Sequence, residues 1–196
     1  MGTVRPRDVD IYTQPHLQIR RLERHGLLHR MAAGYYAVVP PDRVNTGWMP
    51  TIEGAAAGIA AADFGEDNFA LMGLTAARLH RVIPRALAFA VVATPRRRKP
   101  VQMEDRTATA HFLTRDPRTI YTERMITDMG PCQVTIPEQT LLDLAHLPKL
   151  GDMEQEVWAA IDTLRPGCDQ ALLTEIAQTQ RLGAALRRVR LRTRDA

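Results

Sequence analysis

The sequence predicts an α+β fold in two parts: an N-terminal unit of one helix and one hairpin, then a larger unit of helices and a small sheet. Two observations support this division. The spacing of apolar residues changes from helical to alternating along the chain. The proline pair in Pro40-Pro41-Asp42 interrupts regular structure between the two parts. We therefore expect one domain over residues 1–42 and a second over 43–196.

The composition indicates a folded, basic protein. The chain has 196 residues, of which 45% are hydrophobic, enough for one good core or two small ones. The net charge is +4, and every basic residue except Lys99 and Lys149 is arginine. Guanidinium groups donate paired hydrogen bonds to phosphates and guanine edges, which favours polyanionic partners. GC-rich coding DNA also enriches arginine, so the charge alone does not identify a partner.

No segment indicates export or a membrane. Cys132 and Cys168 are too few for a disulfide framework, and the start MGTVRPRDVD lacks the apolar run of a signal peptide. The small-apolar run 54–62 is too short to cross a bilayer. We predict a cytoplasmic protein with no membrane partner.

A basic helix is predicted near the N-terminus. On a helical wheel that starts at Leu17, the basic residues Arg20, Arg21 and Arg24 fall on the face opposite Ile19 and Leu22. One interpretation is a solvated basic face, which is common on surface helices. The other is a helix that reads DNA.

The residues around this helix favour the second interpretation. Gln14-Pro15 predicts its start and Gly26 its stop. Residues 27–31 and 34–39 are predicted to pair as a hairpin that turns at 32–34. Helix, strand, glycine turn and strand is the order of a winged helix-turn-helix, in which the helix enters the major groove. Because the preceding VRPRDVDIYT is short, we expect any first helix to be abbreviated.

Basic and polar residues of this unit are the predicted DNA contacts, by base reading or by phosphate binding. They are Arg5, Arg7, Gln14, His16, Arg20, Arg21, Arg24 and Arg30.

The second part alternates helices and strands. Helices are predicted at 51–63, 69–80 with an interruption near Gly73, 138–147, 152–164 and 169–188, and strands at 86–94, 107–114, 119–127 and 132–136. Gly54 and Gly58 share one helix face and would let another element approach closely. Thr135 and Glu138 have capping-box spacing.

We predict no catalytic site, no metal site and no cofactor. Neither lysine follows a carboxylate at nuclease spacing, and 167-GCDQ-170 lacks the second carboxylate of a nucleotidyltransferase. His25 and His29 straddle the helix stop, whereas zinc needs four converging ligands. For Glu138 we favour a helix cap and for Asp143 an anchor for arginine, rather than acid–base roles.

Two basic runs allow two interpretations. Residues 96–99 lie between two strands, and arginines recur over 187–194. Each run is either a solvated surface or a contact for phosphates or an acidic partner.

Four features resemble the AbiEi-type antitoxins, transcriptional regulators of type IV toxin–antitoxin pairs. Three are the segments LQIRRLERHGLLHRMAAGYYAV (17–38), LTAARLH (74–80) and VTIPEQTLLDLAH (134–146), and the fourth is the domain order. Thr75 and Gln139 stand where the family has serine and arginine.

The resemblance implies an antitoxin that counteracts a nucleotidyltransferase-like toxin through its C-terminal domain and represses its own operon by binding operator DNA. The alternative is a stand-alone winged-helix regulator without a toxin partner. Neither interpretation makes the protein an enzyme.

Overall fold

The computed structural model describes residues 1–10 and 13–192. Within these ranges the chain forms seven α-helices and two β-sheets, which confirms the predicted α+β class. The strands are β1 (Thr3–Val4), β2 (Leu28–Ala32), β3 (Tyr35–Val38), β4 (Ala70–Leu71), β5 (Phe89–Thr94), β6 (Val101–Gln102), β7 (Thr109–Thr114), β8 (Thr122–Thr127) and β9 (Gly130–Thr135). The helices are α1 (Pro15–Arg24), α2 (Ile52–Phe64), α3 (Gly73–Leu79), α4 (Pro137–His146), α5 (Glu154–Leu164), α6 (Gln170–Thr179) and α7 (Gly183–Arg192).

The N-terminal part is one helix beside a three-stranded antiparallel sheet of order β1-β3-β2. Strands β2 and β3 form the predicted hairpin. Gly34 in its turn has φ +79°, a conformation that glycine adopts without steric cost. In the described residues before α1, a strand and a 3-10 turn at Pro6–Asp8 stand where a first helix was expected in abbreviated form. That this part is a winged helix-turn-helix stays a prediction.

The second sheet has six strands in the order β6-β7-β5-β4-β9-β8. The β5–β7 and β4–β9 pairs are parallel, and the other three neighbouring pairs are antiparallel. Strand β6 and the short strand β4 were not predicted.

Layers of helix cover both faces of this sheet. Successive side chains of a strand point to opposite faces, and those of β5 enter different cores. Phe89 and Val91 pack with residues of α3 to α7. Ala90 and Val92 pack with α2 and the hairpin. The sheet is therefore the middle layer of the molecule.

One hydrophobic core crosses the predicted domain boundary at residue 42. The hairpin contributes Met31 and Tyr35 to the core that α2 and the sheet build. A small separate cluster of Ile19, Leu28 and Tyr36 holds α1 on the hairpin. The boundary stays a prediction, but the two segments share packing across it.

The predicted close approach at Gly54 and Gly58 is confirmed. A Cβ at Gly58 would overlap Oγ1 of Thr3 in β1, and one at Gly54 would overlap the Asp128 carboxylate. The missing side chains thus allow β1 and the β8–β9 turn to lie directly on α2.

Three local predictions need correction. Residues 69–80 form β4 and then α3, which begins at Gly73 with φ +59°, rather than one helix. Residues 169–188 form two helices, because the chain turns at Arg181, which has φ +58°. The predicted capping box is wrong: the Glu138 carboxylate accepts a hydrogen bond from the Asp169 N–H at 3.0 Å, across to the start of α6.

No helix in the described part of the chain combines the length and the apolar character needed to cross a bilayer.

Candidate nucleic-acid interface

The basic face of α1 is exposed, as the helical wheel predicts. Ile19 is buried and Leu22 packs beside it against the hairpin. The side chains of Arg20, Arg21 and Arg24 lie on the opposite, exposed face. None of these three guanidinium groups pairs with a carboxylate among the described residues, and Arg24 Nε only donates to the Arg20 carbonyl at 3.4 Å. Three charges therefore remain available to an anionic partner.

The ends of α1 are as predicted. Pro15 is the first helical residue, and the helix stops before Gly26, which has φ +69°. Gln14 and His16 are exposed at the N-terminal end, and the Gln14 side chain makes no capping hydrogen bond. Leu17 is 53% exposed on the same face as the arginines, which suits an apolar contact to a thymine methyl group.

Arg30 on β2 is exposed but already paired. Its Nε lies 2.7 Å from a carboxylate oxygen of Glu104, and its guanidinium lies 6.0 Å from the centre of the Tyr36 ring. A phosphate would have to compete with Glu104 for this arginine.

Arg5 and Arg7 converge on a nearly buried carboxylate. Asp63, at the end of α2, accepts a hydrogen bond from Arg5 Nη1 at 2.6 Å and from Arg7 Nη2 at 3.1 Å. Arg5 also pairs with Asp8. Arg5 is mostly covered, whereas the Arg7 side chain remains 66% exposed.

The basic loop between β5 and β6 reaches the same carboxylate. Arg98 Nε donates to Asp63 Oδ2 at 2.7 Å, and Arg96 Nη2 donates to the Asp63 carbonyl at 3.3 Å. Tyr35 of the hairpin donates its hydroxyl to Asp63 at 2.8 Å and accepts from Arg98 at 2.9 Å. Arg96 and Arg98 therefore hold this part of the loop against α2, while Arg97 is exposed.

Hydrogen bonds keep the Asp63 carboxylate ionised. Burial alone would raise its pKa, but the bonds from Tyr35 and Arg98 outweigh burial and lower it. Burial and the neighbouring Asp63 carboxylate raise the pKa of the Tyr35 hydroxyl. A charged Asp63 can orient several arginines at neutral pH. Asp63 and Tyr35 were not predicted, because neither stands in a local pattern that indicates a site.

Most described arginines of the second basic run, residues 187–194, form hydrogen bonds or an ion pair with other helices. Arg188 donates to the Ala145 carbonyl at 2.9 Å, and Arg190 to Thr174 at 3.0 Å. Arg192 pairs with Asp162 at 2.8 Å. Arg187 is exposed, and Arg194 lies outside the described residues.

The residues considered above for acid–base catalysis or metal binding have structural partners. Asp143 is buried and paired with Arg115, as predicted. His29 Nε2 lies 2.7 Å from Asp105, and the described part of the chain contains no group of three or more His, Cys, Asp or Glu residues placed to hold a metal ion. Burial raises the pKa of the Cys132 thiol to about 11 and that of Cys168 to about 12. Neither thiol is a ready nucleophile at neutral pH.

Comparison with known proteins identifies a fold and no family. No family model matches the chain, and no curated protein matches it. Among solved structures it is similar to the RV2827C protein from Mycobacterium tuberculosis, with a TM-score of 0.61 and 16% sequence identity. The match covers 91% of this chain and 67% of that protein. At this identity the likeness concerns the fold alone.

Proposed function

We propose that this protein is a sequence-specific DNA-binding regulator, with α1 in the major groove and the β2–β3 hairpin on the flanking backbone. The observation that carries the proposal is the face of α1, where Arg20, Arg21 and Arg24 are exposed without a carboxylate partner among the described residues. Guanidinium groups in this setting can pair with guanine edges, and Leu17 can contact thymine methyl groups. The role is binding rather than catalysis.

The wild-type protein should prefer its own promoter. Specific complexes are typically at least about 1,000-fold tighter than non-specific ones at physiological salt, because base contacts add to phosphate contacts. Fluorescence anisotropy titrations against the duplex upstream of its reading frame and against a shuffled duplex of the same composition measure this ratio. Equal affinity for the two duplexes would contradict the proposal.

We further propose that the regulator is the antitoxin of a pair with a nucleotidyltransferase-like toxin, and that it represses the operon encoding both. The resemblance of residues 17–38, 74–80 and 134–146 to AbiEi-type antitoxins supports this proposal. The alternative is a stand-alone regulator without a toxin partner.

The full chain carrying R20A, R21A and R24A separates repression from neutralisation. The full chain is used instead of a fragment that starts near Arg43. Such a fragment would lack Met31 and Tyr35 of the shared core, so its failure to rescue could reflect unfolding. The triple variant should still rescue cells in which the neighbouring gene is expressed from an unrelated promoter, although it no longer represses. If even the wild-type chain does not rescue, the stand-alone regulator is correct. If only the wild type rescues, neutralisation requires the α1 arginines.

A further inference from the structure

Two adjoining clefts share Tyr35 as a lining residue. One, of about 300 Å³, is lined by Arg7, Asp63 and the loop arginines Arg96, Arg97 and Arg98. The other, of about 330 Å³, is lined by residues that include Arg5 and His16. Arg7, Tyr35 and Arg98 line both. The clefts therefore form one surface from the β5–β6 loop to the first turn of α1, which we call the basic track.

The basic track has an excess of positive charge that its acidic residues do not neutralise. Five guanidinium groups face two carboxylates, those of Asp63 and Asp8. The guanidinium groups belong to Arg5, Arg7, Arg96, Arg97 and Arg98. Arg97 is exposed and has no carboxylate partner in the described ranges. A bound anion would find charge here that is not already paired.

The track is held in place before any ligand arrives. The Asp63 side chain is only 9% exposed and fixes Arg98 at 2.7 Å and Arg7 at 3.1 Å. Arg96 lies with its guanidinium carbon 5.4 Å from the centre of the Phe64 ring, and Arg98 lies 5.6 Å from that of Phe112. Side chains ordered by their own protein lose less entropy when they bind. Planar guanidinium groups suit the paired oxygens of a phosphate.

We propose that the basic track binds phosphate groups of the duplex backbone, beside the segment that α1 reads. The inference rests on the proposed DNA-binding function and assigns a role to the loop at residues 95–100. The track lies at the hairpin turn and reaches α1 through His16, so the same duplex can contact both surfaces. Phosphate contacts position a protein on DNA without reading sequence.

The variant R96A/R97A tests the track. It keeps the hydrogen bonds that the Asp63 carboxylate accepts from Arg5, Arg7, Tyr35 and Arg98. Each phosphate contact contributes about 0.9 to the slope of log K against log salt. The variant should therefore lose affinity equally for the promoter and the shuffled duplex, and its slope should fall by about 2. The matched control R124A/R187A also removes two exposed arginines that lack carboxylate partners in the described residues. Its slope should not change.

Three outcomes separate this inference from the proposed function. An unchanged slope with promoter preference intact overturns the track and leaves the proposed function standing. A reduced slope without promoter preference in the wild type supports the track and overturns specific regulation. If inorganic phosphate raises the melting temperature of the wild type but not of R96A/R97A, and the slope on DNA is unchanged, the site binds free phosphate and the backbone assignment is wrong.

Discussion

At the scale of single residues, the Asp143 carboxylate of α4 is buried and forms an ion pair with Arg115. Its type and position in α4 favoured an anchor for arginine over an acid–base role, and its pairing with Arg115 confirms the anchor. Gln139 also donates to it at 2.9 Å. The identity of the arginine could not be predicted, since Arg115 lies 28 positions earlier in the chain, before strands β8 and β9.

The Asp143 pair predicts a pH-dependent stability. Burial raises the pKa of the carboxyl, and Arg115 opposes part of that rise. A folded-state pKa above the unfolded value means that the contribution to stability is present at low pH and is lost as pH rises through the folded pKa. R115A should raise this pKa further, so its destabilisation should grow between pH 4 and pH 7, to about 3–5 kcal/mol at pH 7.

Urea unfolding of wild type and R115A at both pH values measures this growth. The lost bond from Arg115 to Gln180 is independent of pH in this range and contributes equally at each value. R118A, which removes the arginine of an exposed pair with Asp116, is the control and should change little. A destabilisation of the same size at pH 4 and pH 7 would show that Asp143 does not titrate as described.

At the scale of elements, helices with one clear apolar face were the most predictable. The start and stop of α1 were read correctly from Gln14-Pro15 and Gly26, and the hairpin from its alternation and Gly34. The prediction of one helix over 169–188 failed because Arg181, a non-glycine residue, adopts positive φ between α6 and α7. The Leu182 N–H donates to the Ala177 carbonyl at 2.8 Å, a local helix ending whose left-handed position usually holds glycine, so arginine there gave no signal of a stop.

The order of the strands in the sheet could not be predicted from the sequence, for a different reason. Strands β5 and β7 are parallel neighbours although β6 lies between them in the chain. Alternation predicts that a segment is a strand but carries no information on its partner or direction. Gly54 and Gly58 did indicate a close approach, yet only the fold shows that Thr3 and the β8–β9 turn occupy it.

At the scale of the whole molecule, the N-terminal segment and the larger unit pack together through a shared core. The core formed by the hairpin, α2 and the sheet crosses residue 42, and the Asp63 carboxylate joins Arg5 and Arg7 to the β5–β6 loop. The arginines of the basic track were noticed separately in the sequence, but because they are separated by up to 93 positions, no motif indicated that they form one surface. The α1 face was visible, because its residues are neighbours on a single helix.

The measurement that tests the central claim most directly is the DNA affinity of R20A/R21A/R24A. The expected loss is at least about 100-fold on the promoter duplex, because each base-reading arginine contributes about 1–3 kcal/mol. The melting temperature should not change, since the three side chains are exposed. The variant R118A/R124A/R187A removes the same charge elsewhere and should keep its promoter preference. A folded R20A/R21A/R24A protein that binds its promoter with unchanged affinity and preference would contradict the assignment of α1 as the recognition helix.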